Sequence, residues 1–192
     1  MSFQDPADEQ PAAQDGKSVL HQLWFHTSTQ PDWPSNNWDP TAGWNSESFE
    51  RMEKICGSGS TERWRVNQLI KCLHVGTLTS ALENMERRRR KQADDDRMFW
   101  LYRVKLSPLV AVRADKISDP GGMVGDVWPD DVMRPAESVV KYTNDHEDRG
   151  SVSLALRRSA IAAVQRVPLS ADYDEAALLA ALDAAEWEDR SV

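Results

Sequence analysis

Apolar and polar positions change their period several times along the chain, and each change marks an element. Val19 to His26 is an apolar, aromatic run that predicts a strand, closed by Thr27, Ser28 and Thr29. Ser46 to Ile55 sets Phe49, Met52 and Ile55 at helical spacing and predicts a short helix, which "CGSGST" breaks. "RWRVNQLIKCLHVGT" leads as a strand into His74, and Thr77 or Thr79 is placed to cap a following helix. That helix puts Leu78, Leu82, Met85 and the stem of Arg89 on one face. Residues 98–106, "MFWLYRVKL", form the clearest strand, with Trp100, Tyr102, Val104 and Leu106 on one face and Arg103 on the other. Pro135 opens a predicted helix that runs through "AESVVKYTNDHE" to Glu147, with Gly150 as its terminator. "SVSLAL" and "AIAAVQRV" predict two further strands joined through "RRS". Asp172, with Glu175 three residues later, starts a final helix. Its Leu178, Leu179, Leu182 and Trp187 need a partner surface, either the chain's own core or another molecule.

Two stretches follow neither period. "QPDWPSNNWDPTAGWN" concentrates three prolines and three tryptophans, and Pro removes the donors that a helix or central strand requires. Its rings, Trp33, Trp38 and Trp44, either pin an irregular loop to the core or form an aromatic wall over a ligand. "ISDPGGMVGDVWPDDV" is a second irregular loop with its own Trp128. The element order does not alternate as a doubly wound sheet would. It predicts an α+β fold: a single domain with a mixed, bent β-sheet and flanking helices. Residues 1–17 read as a disordered acidic tail, 18–169 as the domain and 170–192 as an acidic C-terminal helix.

Charge alters this picture in one respect. Of the formal −8, residues 1–16 carry −4 and residues 172–192 carry −6, which leaves +2 for residues 17–171. The acidity belongs to the ends, and a nearly neutral centre can accept an anionic ligand. Mimicry of nucleic acid, which would set acids on the domain face, is disfavoured on the same ground. No apolar run approaches the roughly 20 residues needed to span a bilayer, so no membrane association and a cytoplasmic location are expected. Cys56 and Cys72 have neither the number nor the spacing of a disulfide framework or zinc site. "ERRRRK" invites a nucleic-acid reading through Arg87 to Arg90. Glu83 and Glu86 each stand four residues before an arginine, which supports the helix locally.

Motifs for common chemistries are missing: there is no GxSxG, GxGxxG or GxxxxGK[ST]. His21, His26, His74 and His146 are scattered singly, so no metal site is expected. Polar groups at strand ends facing irregular loops remain. They are His26, Thr27 and Ser28; His74, Gly76 and Thr77; Tyr102 and Arg103; and Tyr142, Asn144 and Glu147. A neutral His can hydrogen-bond a sugar hydroxyl or amide, Arg103 or Arg63 can clamp a phosphate, and Glu147 can stabilise positive charge developing on a sugar ring.

The first histidine stretch, "LWFHTST", resembles the first strand of ADP-ribosyltransferase-like domains of the poly(ADP-ribose) polymerase and RNA 2'-phosphotransferase kind. In those domains an apolar strand ends in His, a small residue and then Thr or Ser. "CLHVGTLTSALENM" resembles a later strand-to-helix step of related prokaryotic and phage-encoded domains. The resemblance implies NAD as a substrate, with His26 and Glu147 as catalytic residues. It implies Thr27, Ser28, His74, Thr77, Tyr102 and Arg103 as cofactor contacts. Thr27 stands where the family has Gly, and Glu147 falls at a predicted helix end where the family's Glu lies on or before a strand. The leading expectation is ADP-ribosyl transfer or NAD hydrolysis by an effector of a bacterium or mobile element, acting on an unidentified protein or nucleic-acid acceptor. The alternative is a non-catalytic phage or conflict-system accessory factor. It would bind a protein partner through the Trp-rich loop and residues 172–192.

Overall fold

A computed structural model describes residues 18–35, 37, 39–42, 44–91, 97–121 and 126–190. The proposed acidic tail at 1–17, Trp38 and the acidic run at 94–96 lie outside the described residues. The first elements are β1 (Trp24–Ser28), α1 (Ser46–Cys56), α2 (Ser60–Ile70), β2 (Leu73–Val75), α3 (Leu78–Lys91) and β3 (Phe99–Leu106). They are followed by β4 (Ile117–Ser118), α4 (Pro129–Val132), β5 (Val139–Thr143), β6 (Val152–Leu156), β7 (Ile161–Leu169), α5 (Glu175–Ala184) and β8 (Glu188–Asp189). The chain is an α+β domain, as its pattern predicts, with its strands divided between two four-stranded sheets. One has the order β1-β3-β7-β8 and the other β2-β6-β5-β4. The first is antiparallel throughout, whereas β4 pairs with β5 in parallel.

Strand alternation assigns each face of each sheet to a core. Tyr102, Val104 and Leu106 of β3 meet Val139 of β5 and Leu154 and Leu156 of β6, so the two sheets share one apolar interior. The opposite parity of β3, Phe99 and Leu101, packs with Leu82 and Met85 of α3 and Leu178 and Leu182 of α5. The far face of the second sheet, with Val140, Tyr142 and Ala155, is covered by Val127, Val132 and Met133. Two sheets buried on both faces stand between α3 and α5 on one side and the segment 127–133 on the other.

This layering explains where the periodic reading departs from the fold. Residues 139–143 form strand β5 and not the predicted helix, because all of Val139, Val140, Lys141 and Tyr142 are buried. Burial on both faces removes the polar alternation that marks a strand, while the β-branched and aromatic content remains. Glu147 therefore lies in the turn after a strand and not at a helix end. Residues 18–21 are helical, and β1 begins only at Trp24, whose indole Nε1 donates to the Val19 carbonyl at 2.8 Å. Residues 60–70 form α2, and only Leu73–Val75 of the second histidine stretch is extended. Trp64 of α2 packs at 4.7 Å and a 35° tilt on Trp44, which in turn packs on Phe49 of α1. Asn45 caps α1 by accepting from Ser48 N–H.

The C-terminal helix, expected to seek a partner surface, finds its own domain. Asp174 caps it, Leu178 and Leu182 are buried against the first sheet, and β8 then adds an edge strand beside β7. Leu178 and Leu182 thus join the domain's own core, whereas Trp187 stays 45% exposed. Leu182 has 0% exposure, so Leu182→Ala should cost about 2–5 kcal/mol of stability. The shift in the urea unfolding midpoint measures it, and a near-neutral result would mean that the helix is not docked in solution.

Candidate functional site

The two sheets meet where β1 touches β2. Phe25 N–H donates to the Gly76 carbonyl at 2.9 Å and Gly76 N–H returns the bond to Phe25 at 3.0 Å. A cleft of about 80 Å³ opens at this junction. His26, Thr27, His74, Tyr142, Asn144 and Glu147 are among its lining residues. The two histidine stretches are therefore two walls of one site.

His26 sits between a carbonyl and an indole. Its Nδ1 lies 2.8 Å from the His74 carbonyl oxygen, and its ring stacks on Trp33 at 4.1 Å and 19°. A carbonyl only accepts, so the proton is on Nδ1 and Nε2 carries a lone pair. Trp33 is the loop indole that pins the irregular loop to the shared core; it backs the His26 ring and is not itself a lining residue of the cleft. Burial, with the charge of Arg88 second, lowers the His26 pKa from 6.5 to about 3. His74 places Nδ1 at 3.1 Å from the Tyr142 hydroxyl, and the two rings meet edge to face. Burial also pushes the Tyr142 phenol above its ordinary range.

Glu147 reaches the cleft through a turn built by Asn144. The Asn144 Oδ1 accepts from His146 N–H at 3.0 Å and Glu147 N–H at 2.9 Å, and its Nδ2 donates to Ser153 Oγ at 3.1 Å. The carboxylate is partly buried, and its Oε1 accepts from Arg87 Nε at 2.7 Å and Asn84 Nδ2 at 3.4 Å. Among the described residues no donor reaches Oε2. Ser80, Asn84 and Arg87 follow one helical face of α3, and the first two line the cleft. Their i, i+4, i+7 spacing is a polar stripe beside the apolar one, the signal by which sequence reading can find them.

The remaining sequence candidates have other partners. Thr27 lines the cleft, but its hydroxyl donates to the Ala81 carbonyl at 2.9 Å and docks α3 on β1. Ser28 closes a turn by accepting from Gln30 N–H at 3.1 Å. Thr77 caps α3 by accepting from Ser80 N–H at 3.0 Å, and donates to Asp148 Oδ2 at 2.5 Å. Tyr102 is fully buried between the sheets and donates to the Gln30 carbonyl at 2.5 Å. Arg103 points toward α5, where it bonds Asp183 at 2.7 Å and Gln165 at 3.2 Å. Arg63 donates to the Ser58 carbonyl within its own hairpin. Ser28, Thr77, Tyr102 and Arg103 are not among the cleft-lining residues: turn closure, helix capping, the bond to the Gln30 carbonyl and the pair with the exposed Asp183 occupy them in turn. Among the described residues no group of three or more His, Cys, Asp or Glu side chains is placed to hold a metal ion. No helix there is long and apolar enough to cross a membrane.

Comparisons with models of known families, with curated proteins and with solved structures each find no match.

Two consequences of this geometry are measurable. A Cβ on Gly76 would overlap Ser80 Oγ and approach Ser153 Oγ at 2.7 Å. Gly76→Ala should therefore destabilise by about 1–3 kcal/mol, with partial relief from Ser80→Ala in the double variant. Additive losses in a denaturant series would contradict the contact. The second consequence is pH dependence. The unfolded chain protonates His26 as pH falls through 6.5, whereas the folded chain resists until about 3. Stability associated with the neutral ring is complete above 6.5 and is lost progressively toward pH 3. The urea midpoint should decline across that window, less steeply for His26→Phe, which keeps an aromatic ring and cannot titrate; equal slopes would refute it.

Proposed function

We propose that the chain binds NAD and cleaves its nicotinamide–ribose bond, transferring ADP-ribose to an acceptor or to water. The observation that carries this reading is the convergence of His26, His74 and Glu147 on one cleft. These are two histidines and an acid drawn from well-separated parts of the chain. The cleft has room for one ring-sized group, well under the roughly 300–1,000 Å³ of a site that encloses a whole ligand. It suits the nicotinamide end of NAD, with the remainder of the dinucleotide outside.

The residues divide the work by their protonation states. His26 offers Nε2 as an acceptor to a ribose hydroxyl or the carboxamide N–H, and Trp33 holds its plane. When the glycosidic bond breaks, its electron pair leaves with the nicotinamide nitrogen and positive charge develops on the ribose. The Glu147 carboxylate, fixed through Oε1, presents Oε2 to that charge. The nucleophile, water or an acceptor group, then bonds to the anomeric carbon, and its proton passes to Glu147 or solvent.

Incubation with NAD labelled in the nicotinamide should release label with the wild type. His26→Ala and Glu147→Gln should each lower the rate by about 10²-fold or more, the usual effect of removing one positioned polar group. An unchanged rate in Glu147→Gln, or no NAD consumption by the wild type with any acceptor supplied, would remove the proposal.

A further inference from the structure

The cleft does not end at Glu147. A second depression of about 420 Å³ lies on the other side of this residue, so Glu147 is a wall of both. Arg87, Arg90 and Lys91 line it, together with His146 from the turn after β5. The three cations stand at i, i+3 and i+4 on α3 and so share one helix face. We propose that this depression is a diphosphate subsite, holding the two phosphates of the ligand whose ribose lies beside Glu147; the assignment rests on the reading of the inner cleft given above.

The hydrogen-bond inventory leaves donors for it. Arg87 uses Nε on Glu147, and among the described residues its two terminal nitrogens carry no partner. Arg90 bonds Glu86 at 3.2 Å with 71% of its side chain exposed, an arrangement worth little in water and easily exchanged for a phosphate. Lys91 is exposed and carries no carboxylate partner among the described residues. Three carboxylates, Glu83, Glu86 and Glu147, also line the depression, and each accepts a hydrogen bond within the fold while keeping its charge. Glu83 accepts from Asp148 N–H at 2.6 Å, and Glu86 accepts from the Tyr173 hydroxyl at 3.1 Å. Arg87 thus bridges the two halves of the site, one edge on the carboxylate and the other toward the phosphates. Bidentate donation of this kind suits phosphate oxygens.

Calorimetric titration with sodium pyrophosphate, ADP-ribose and nicotinamide tests the assignment on the full chain and on Arg90→Gln/Lys91→Gln. Both substitutions lie on exposed side chains, so the fold is retained. Pyrophosphate and ADP-ribose should bind the wild type and weaken about tenfold or more in the double variant and with added salt, while nicotinamide is unaffected. Pyrophosphate binding that depends on Arg90 and Lys91, without any NAD consumption, would keep the subsite and remove the NAD reading. NAD turnover with an unchanged KM in the double variant would overturn the subsite and leave that reading standing. Failure of the wild type to bind pyrophosphate and ADP-ribose overturns it as well. Tighter binding of a single-stranded RNA than of ADP-ribose, lost in the same variant, would overturn it in favour of a polynucleotide backbone.

Discussion

Two backbone hydrogen bonds between Phe25 and Gly76 join one sheet to the other, and the arrangement of the site depends on them. They bring the first histidine strand beside the second, so that the His26 ring can reach the His74 carbonyl. They also require a residue without a side chain at position 76, because Ser80 and Ser153 crowd the space a Cβ would fill. Gly76 is therefore a point of close approach between layers, more than a relaxed turn before a helix. From this contact the rest follows in order: α3 starts at Leu78, docks on β1 through Thr27, and carries Asn84 and Arg87 toward Glu147.

The irregular Trp-rich loop is a second structural commitment. Three donors from the first sheet and its approach grip the loop's carbonyls. The Tyr102 hydroxyl reaches Gln30, Arg166 reaches Pro31 and Arg158 reaches Ser35. Each satisfies a backbone acceptor that no regular structure pairs. Their joint effect is to hold Trp33 against His26, and the indole in turn helps keep that ring dry and neutral. Arg166 also lies over the Trp100 ring, which ties this clamp to β3.

The arginine run at the end of α3 shows how one sequence feature divides into several roles once folded. Arg87 pairs with Glu147, Arg88 and Arg89 lie over the Phe99 ring, and Arg90 pairs with Glu86. A uniform basic stripe for a polynucleotide is not what results, since the helix turns successive residues to different neighbours. The same division applies to Arg103, which a strand face presents to α5 and not to the cleft.

Several features were legible without the fold. The apolar stripes of α3 and α5, the alternation of β3, the α+β class and the candidacy of His26, His74 and Glu147 all follow from local periodicity and residue chemistry. These signals depend on one neighbour surface at a time. The identity of β5 did not follow, because a strand covered on both faces loses its polar alternation and Pro135 and Gly150 imitate helix ends. Nor was the division of the strands into two sheets visible, or the pairing of Phe25 with Gly76. Sequence alone determined which residues had the chemistry for a site. Tertiary structure decided which of them share it, because cleft, pKa and ion pair all arise from contacts between segments far apart in the chain.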